Sequence, residues 1–438
     1  MKIESFIRSA VSFAKLRTAF VLTLLIGLFV VPARAQQVFA PLPENPVAPP
    51  VAQEYQSQAS ETDVFIPASG NSDLQMESEP FRLGIFNFRP HPYYRFLYAT
   101  GILVTTNQHA STALNQIAPG ILLEIGNHWA LDYTPTWSFY SDNHFRDTLD
   151  HSVTLNGETA YEDWIFGLSQ SCVISADSSA ETATQTDQRT FVTVLRASYQ
   201  FNSKISTDME ADQQFNYVDK LQDSHQWSAS DWLNYQFWPQ LTASIGTGFG
   251  YDHVTDNSGL GTNFDMTFEQ FQGRVEWRAT DKISLQVHAG LEDRQIFNGG
   301  SGNLLNPIFD AAIQYQPFEF TKISLTGQRI VSAADLSGEA TESTKVSADL
   351  NQRLLGRLHL DFNGGYQHIS YLAAGNNLSQ SRVDDYSFVG VQLSCPFLTR
   401  GKKSGTIAVS YQASKDDSSQ NGYSFSSSQF GLDVVYRF

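Results

Sequence analysis

The residues able to do chemistry in this chain are charged groups set at every second position. Asp208, Glu210 and Asp212 alternate with Ile205, Thr207, Met209 and Ala211. Arg274 and Glu276 alternate with Gly273, Val275 and Trp277, and His288, Glu292 and Arg294 with Val287, Ala289 and Leu291. Carboxylates and guanidinium groups arranged on one face act on a passing ion or polar solute through their field, or tie neighbouring strands together. Other chemistry is poorly supported. The ten histidines include no His-x-x-x-His pair, and Cys-x-x-Cys is absent, so no metal site is expected. His359 and His368 are nine apart and fall on opposite faces of one strand. His144, Asp150 and His151 could form a hydrolytic cluster, but read more simply as solvated loop residues. The run Gly401-Lys402-Lys403-Ser404 lacks the earlier glycine of a phosphate-binding loop, since Pro396 stands there. The acidic stretches Asp252–Asp256 and Asp416-Asp417 do not match a calcium loop. No cofactor and no enzymatic activity are expected.

The elements that must position these groups are strands. Leu358, Leu360, Phe362, Gly364 and Tyr366 alternate with His359, Asp361, Asn363, Gly365 and Gln367. The same period of two runs through Ile283–Glu292 and Phe271–Arg278, and means strands with one apolar and one polar face. Short turns near 126–127, 162–163, 202–204, 239–240, 280–281, 317–321, 356 and 399–403 alternate with longer polar loops near 106–112, 141–149, 175–188, 218–224, 255–264, 298–303, 335–341, 372–381 and 416–422. Counting between them from Tyr93 gives about eighteen strands, within a range of sixteen to eighteen. Each has room for the roughly 9–11 residues that a membrane-crossing strand needs.

Three features separate a membrane barrel from a soluble sheet. Seven of nine strands running toward a short turn or the C-terminus end in an aromatic: Tyr161, Phe201, Trp238, Trp277, Tyr315, Phe397 and Phe438. Such rings favour the membrane interface. The last strand is apolar at Phe430, Leu432, Val434, Tyr436 and Phe438, with a terminal aromatic that resembles the signal read by bacterial barrel-assembly machinery. Carboxylates on the inner face would be costly in a dry core, whereas a water-filled lumen accommodates them. The expected fold is therefore all-β: a single transmembrane antiparallel up-and-down barrel over residues 81–438. Its expected lining is Arg196, Asp208, Glu210, Asp212, Arg274, Glu276, His288, Glu292, Arg294, Asp349 and Asp361. Cys172 and Cys395 fall near opposite ends of their strands and should not pair.

Residues 1–35 read as a cleaved secretory signal. Lys2, Arg8, Lys15 and Arg17 precede the apolar core Phe20–Val31, and Ala33-Arg34-Ala35 precedes Gln36. That core is too short to span a bilayer as a helix. Residues 36–80 hold Pro41, Pro43, Pro46, Pro49 and Pro50 and read as an extended periplasmic segment. The chain as given has 28 basic and 45 acidic residues. Without the signal they become 23 and 44, a formal charge of −21, which argues against nucleic acid as a partner.

In architecture, residues 81–438 resemble the β-barrel porins of Gram-negative bacteria, some of which are associated with exopolysaccharide export. In motif, Leu131, Asp132, Tyr133, Thr134 and Pro135, within Trp129–Tyr140, are similar to an early strand of those proteins. The resemblance implies the cell outer membrane as location and its lipid as surroundings. It implies passive passage of small hydrophilic solutes or polysaccharide, or a structural role in an export complex without general pore activity. It carries over no catalytic residue.

Overall fold

A computed structural model describes residues 81–436 apart from 127, 177, 180–183, 260–262, 299–301, 335–338, 374–378 and 400–401. The signal and proline-rich calls on residues 1–80, and Phe438, lie outside the described residues.

Eighteen long strands form the wall. The first six are β1 (Phe86–Thr105), β2 (Gln108–Ile125), β3 (Trp129–Tyr140), β4 (Thr148–Tyr161), β5 (Trp164–Ser175) and β6 (Gln188–Asn202). They are followed by β7 (Ile205–Val218), β8 (Gln222–Trp238), β9 (Leu241–Asp256), β10 (Phe264–Thr280), β11 (Ile283–Phe297) and β12 (Gly302–Phe318). The last six are β13 (Thr321–Ala333), β14 (Glu339–Leu354), β15 (Leu358–Ala373), β16 (Ser379–Thr399), β17 (Lys402–Ser418) and β18 (Phe425–Tyr436). Each pairs antiparallel with the next, and β18 closes the sheet on β1 from Tyr93↔Val435 to Thr100↔Ser428. Closure leaves no long unpaired edge.

The side-chain period of two sorts the residues cleanly. On β8, Trp227, Leu233, Tyr235 and Phe237 point outward and are exposed, while Gln222 and Asn234 point inward and are buried. The same inversion of a soluble protein holds along β7, β9, β10, β11 and β18.

Two expectations are corrected. The loop expected at 106–112 is a tight turn at Thr106-Asn107, with Asn107 at φ 69° and β2 resuming at Gln108. Its polar residues belong to strand above the apolar band, where both faces are polar and the alternation fades. The first strand begins at Phe86 rather than near Tyr93, with Pro90 and Pro92 inside it. The closing ladder to β18 starts only at Tyr93, so these prolines sit where the strand is an edge toward that side. The short strand Phe81–Leu83 pairs back on Phe86–Phe88 below them.

Candidate functional site: the barrel interior

All eleven residues expected as lining fall on inward-facing positions. They are not, however, equally accessible. Arg274, His288, Glu292 and Arg294 are buried, whereas Glu276, near the short-turn end, is exposed on its side chain. The cover comes from strands that are not neighbours.

The main knot centres on Arg274 of β10. Its Nη2 donates to Asp208 Oδ2 of β7 at 3.1 Å and to Asn234 Oδ1 of β8 at 2.8 Å. The guanidinium lies 4.8 Å from the centroid of the Trp232 ring, and that ring is 5.7 Å from His288 of β11. Around it, Asn234 Nδ2 donates to Asp208 at 2.6 Å, Ser198 Oγ donates to the same carboxylate at 2.8 Å, and Arg196 Nε donates to Glu210 at 2.6 Å. Side chains can lie flat over β9 because its inner positions are small. A Cβ on Gly246 would fall 2.5 Å from the Trp232 ring, and one on Gly250 would fall 2.2 Å from Phe268.

A second knot pairs Glu292 with Arg294 at 2.7 Å. Arg294 also donates to the Val331 carbonyl of β13 at 3.1 Å and lies 4.7 Å from the Phe268 centroid. On the far wall Asn351 donates to Asp361, and Asp349 is inward on the same strand as Asn351. Burying Arg274, Glu292 and Arg294 is tolerated because each is ion-paired and hydrogen-bonded.

Toward the long-loop end the interior turns apolar. Leu97, Ala99, Ile102, Val104, Leu114, Tyr386 and Phe425 pack around Phe145 of the loop 141–147. Val254, Phe264, Met266 and Ile296 pack with Ala340 at the β13–β14 tip. Gln222 of β8 donates to the carbonyls of Ala334 (2.6 Å) and Glu339 (3.2 Å), which brings that tip across the mouth. Arg382 of β16, 1 % exposed, is paired with Asp384 at 2.5 Å and held between Tyr371 (4.2 Å) and Tyr423 of the loop 419–424 (4.0 Å). What remains accessible is the inner face of β5 to β7. Between Ile165 and Asn216 none of its residues is buried. A closed sheet that is polar within and apolar without has one reading. The fold is that of a transmembrane β-barrel, closed and antiparallel, of eighteen long strands.

No protein-family model matches the chain, and no curated protein matches it. Several solved structures have a similar shape. They include Pseudomonas aeruginosa OccK2 (OpdF) in complex with glucuronate, at 11% identity and TM-score 0.46, covering 80% of this chain and 98% of that one. Pseudomonas aeruginosa OccK3 (OpdO) matches at 13% and 0.42, covering 80% and 95%. Acinetobacter baumannii OccAB4 matches at 11% and 0.41, covering 83% and 100%.

On the outside of this barrel, Tyr161, Phe201, Trp238, Trp277 and Tyr315 are exposed near the short-turn ends of their strands, and Phe397 is half-buried. The rim cluster does not assemble. His144 bonds Asp142 at 2.6 Å, His151 faces outward against the Tyr133 hydroxyl at 3.0 Å, and Asp150 accepts from Thr148 and the Ala176 amide. Among the described residues no group of three or more His, Cys, Asp or Glu is placed to hold a metal. Cys172 and Cys395 are both free. Sequence reasoning missed Trp232, Asn234 and Arg382. Each sits on the inner-face parity of its strand, so the signal was present, but the contacts that make them matter come from other strands and, for Arg382, from the loop 419–424.

Proposed function

We propose that this chain is an outer-membrane channel for passive passage of small hydrophilic solutes. The observation that carries the reading is the partly accessible polar inner face of β5 to β7, which holds Arg196, Asp208, Glu210 and Asp212 beside Ser169, Ser171, Thr190 and Ser198. This strip supports permeation along one side of the barrel, past the Arg274 knot. The excess of carboxylate favours cations and neutral polyols over anions. The ties across non-neighbouring strands favour small solutes over a polysaccharide. The C-terminal strand supports recognition by the barrel-assembly machinery, and the N-terminal signal supports export to that membrane.

The test is planar-bilayer recording of the purified mature chain. Discrete conductance steps with a cation-selective reversal potential are expected. Membranes that stay sealed while the barrel is folded would overturn the proposal. A second reading, a structural or export-associated barrel without pore activity, is favoured by the packing across the mouth. Deleting residues 36–80 discriminates it: lost partners in a pulldown, with no conductance before or after, would support that reading.

A further inference from the structure

A carboxylate without a donor stands at the foot of the loop 419–424. Asp416 of β17 is 1 % exposed, and neither Oδ1 nor Oδ2 has a hydrogen-bond partner. Its register partners are Tyr386 of β16 and Phe425 of β18, both part of the apolar cluster around Phe145. Other buried carboxylates of the interior do have donors. Asp433 accepts from Tyr93 and Arg95, Glu292 from Gln270 and Arg294, and Asp384 from Arg382. An ionised carboxylate buried without a donor is costly, and such a group ordinarily keeps a proton instead.

The hold on the loop lies beside it. Asp384 pairs with Ser418 and Tyr386 with Asp416, so Asp384 and Asp416 are diagonal neighbours on the inward face. Two carboxylates therefore flank one guanidinium. Arg382 Nε donates to both Asp384 oxygens, at 3.0 and 2.8 Å, and its Nη2 donates to the Tyr371 hydroxyl at 3.1 Å. The ring on its other face, Tyr423, belongs to the loop that leaves β17 three residues after Asp416. Of the other charges near Asp416, Asp385 faces outward and accepts from Tyr366 and His368, and Asp417 faces outward and pairs with Lys415. The Tyr386 hydroxyl engages Ser414, and β18 presents Phe425 and Ser427, which carry no charge.

Asp416 lies fourteen residues past the short-turn end of β17 and five past the outward Tyr411. A crossing needs roughly 9–11 residues, so this group is outside the membrane-crossing part of its strand. Burial first, and then the Asp384 carboxylate, push its pKa up to about 7 against the pull of Arg382. The packing that the neutral acid allows is fully present below the ordinary carboxyl value of about 4 and is lost as pH rises toward the raised one.

We infer that Asp416 is a proton-held latch for the loop 419–424 and regulates passage through the mouth. As the neutral acid it leaves the Arg382–Asp384 pair undisturbed between Tyr371 and Tyr423. Ionised, it draws Arg382 from Asp384 and brings water to Phe425, so the Tyr423 contact opens and the loop lifts. The inference rests on the channel reading only for its effect on current, and the loop movement is read separately.

The test uses the full mature chain in lipid, with C172S and C395S and a spin label at N421C on the loop. Heat-modifiable gel mobility reports whether each variant is folded. The label is expected to be ordered near the bottom of the range from about pH 4 to about pH 7, to gain mobility across it, and to change no further above it. Current through the same chain should rise over the same range. D416N, which cannot ionise, should hold the label ordered throughout. Histidine ordinarily changes charge in this range, and His109 of β2 meets the Ser424 carbonyl at 3.2 Å. H109Q is therefore the control and should keep the transition. A label whose mobility does not change with pH would overturn the inference, as would a transition that survives D416N or is lost in H109Q. Should D416N fail to fold, the titrations of the unsubstituted loop and of H109Q still decide. A label transition in membranes that stay sealed at every pH would support the latch and count against the channel.

Discussion

Arg274 of β10 and Asp208 of β7 are joined by a 3.1 Å hydrogen bond although β8 and β9 stand between them in the sheet. The bond spans this distance because Gly246 of β9 leaves room for the Trp232 ring beneath the guanidinium. A glutamine at 274 removes the charge and the reach. R274Q is expected to raise single-channel conductance and strengthen cation selectivity. The loss in stability should be about 2 kcal/mol, the scale of a charge-assisted hydrogen bond, read by urea unfolding in detergent. Unchanged conductance would separate this knot from the permeation path.

The glycine itself is testable without touching a charge. G246V places methyl groups where the Trp232 ring lies. Overpacking of this kind costs about 1–3 kcal/mol. The folded fraction on gels should fall, and W232A in the same chain should recover part of it.

Tyr423 is one of the loop's holds on the wall, beside the Ser419–Val383 and Gly422–Asn107 backbone bonds. Y423A removes one face of the Arg382 sandwich while leaving the Asp384 pair in place. The loop 419–424 is expected to become sensitive to added protease, with little change in barrel stability. Where the pore is open, current noise should increase.

Asp142 gives a pH dependence outside the strands. The His144 backbone amide, and then its ring, donate to the Asp142 carboxylate and lower its pKa. A lowered carboxyl pKa contributes order above the ordinary value of about 4 and loses it as pH falls through the lowered one. A spin label at N143C, in a C172S/C395S chain, should be ordered at neutral pH and gain mobility only below about pH 4. With D142N it should be mobile throughout.

The closed barrel was legible because period-two alternation persists over strands of twelve residues or more, as in Ile205–Val218 and Leu358–Ala373. It faded where both faces are polar, at Gln108–Thr112, and where Pro90 and Pro92 resemble a linker. Inward direction was legible for Arg274 or Glu292. Their burial was not, because the cover comes from β13, from the β13–β14 tip and over the glycines of β9.

The central claim is that one side of each strand meets lipid and the other the interior. Trp227 and Trp232, five residues apart on β8, test it directly, because they point opposite ways. In single-tryptophan variants reconstituted in lipid with brominated acyl chains, Trp227 should be strongly quenched and Trp232 much less. Equal quenching of both by brominated lipid, or quenching of Trp227 only by aqueous iodide, would contradict the account.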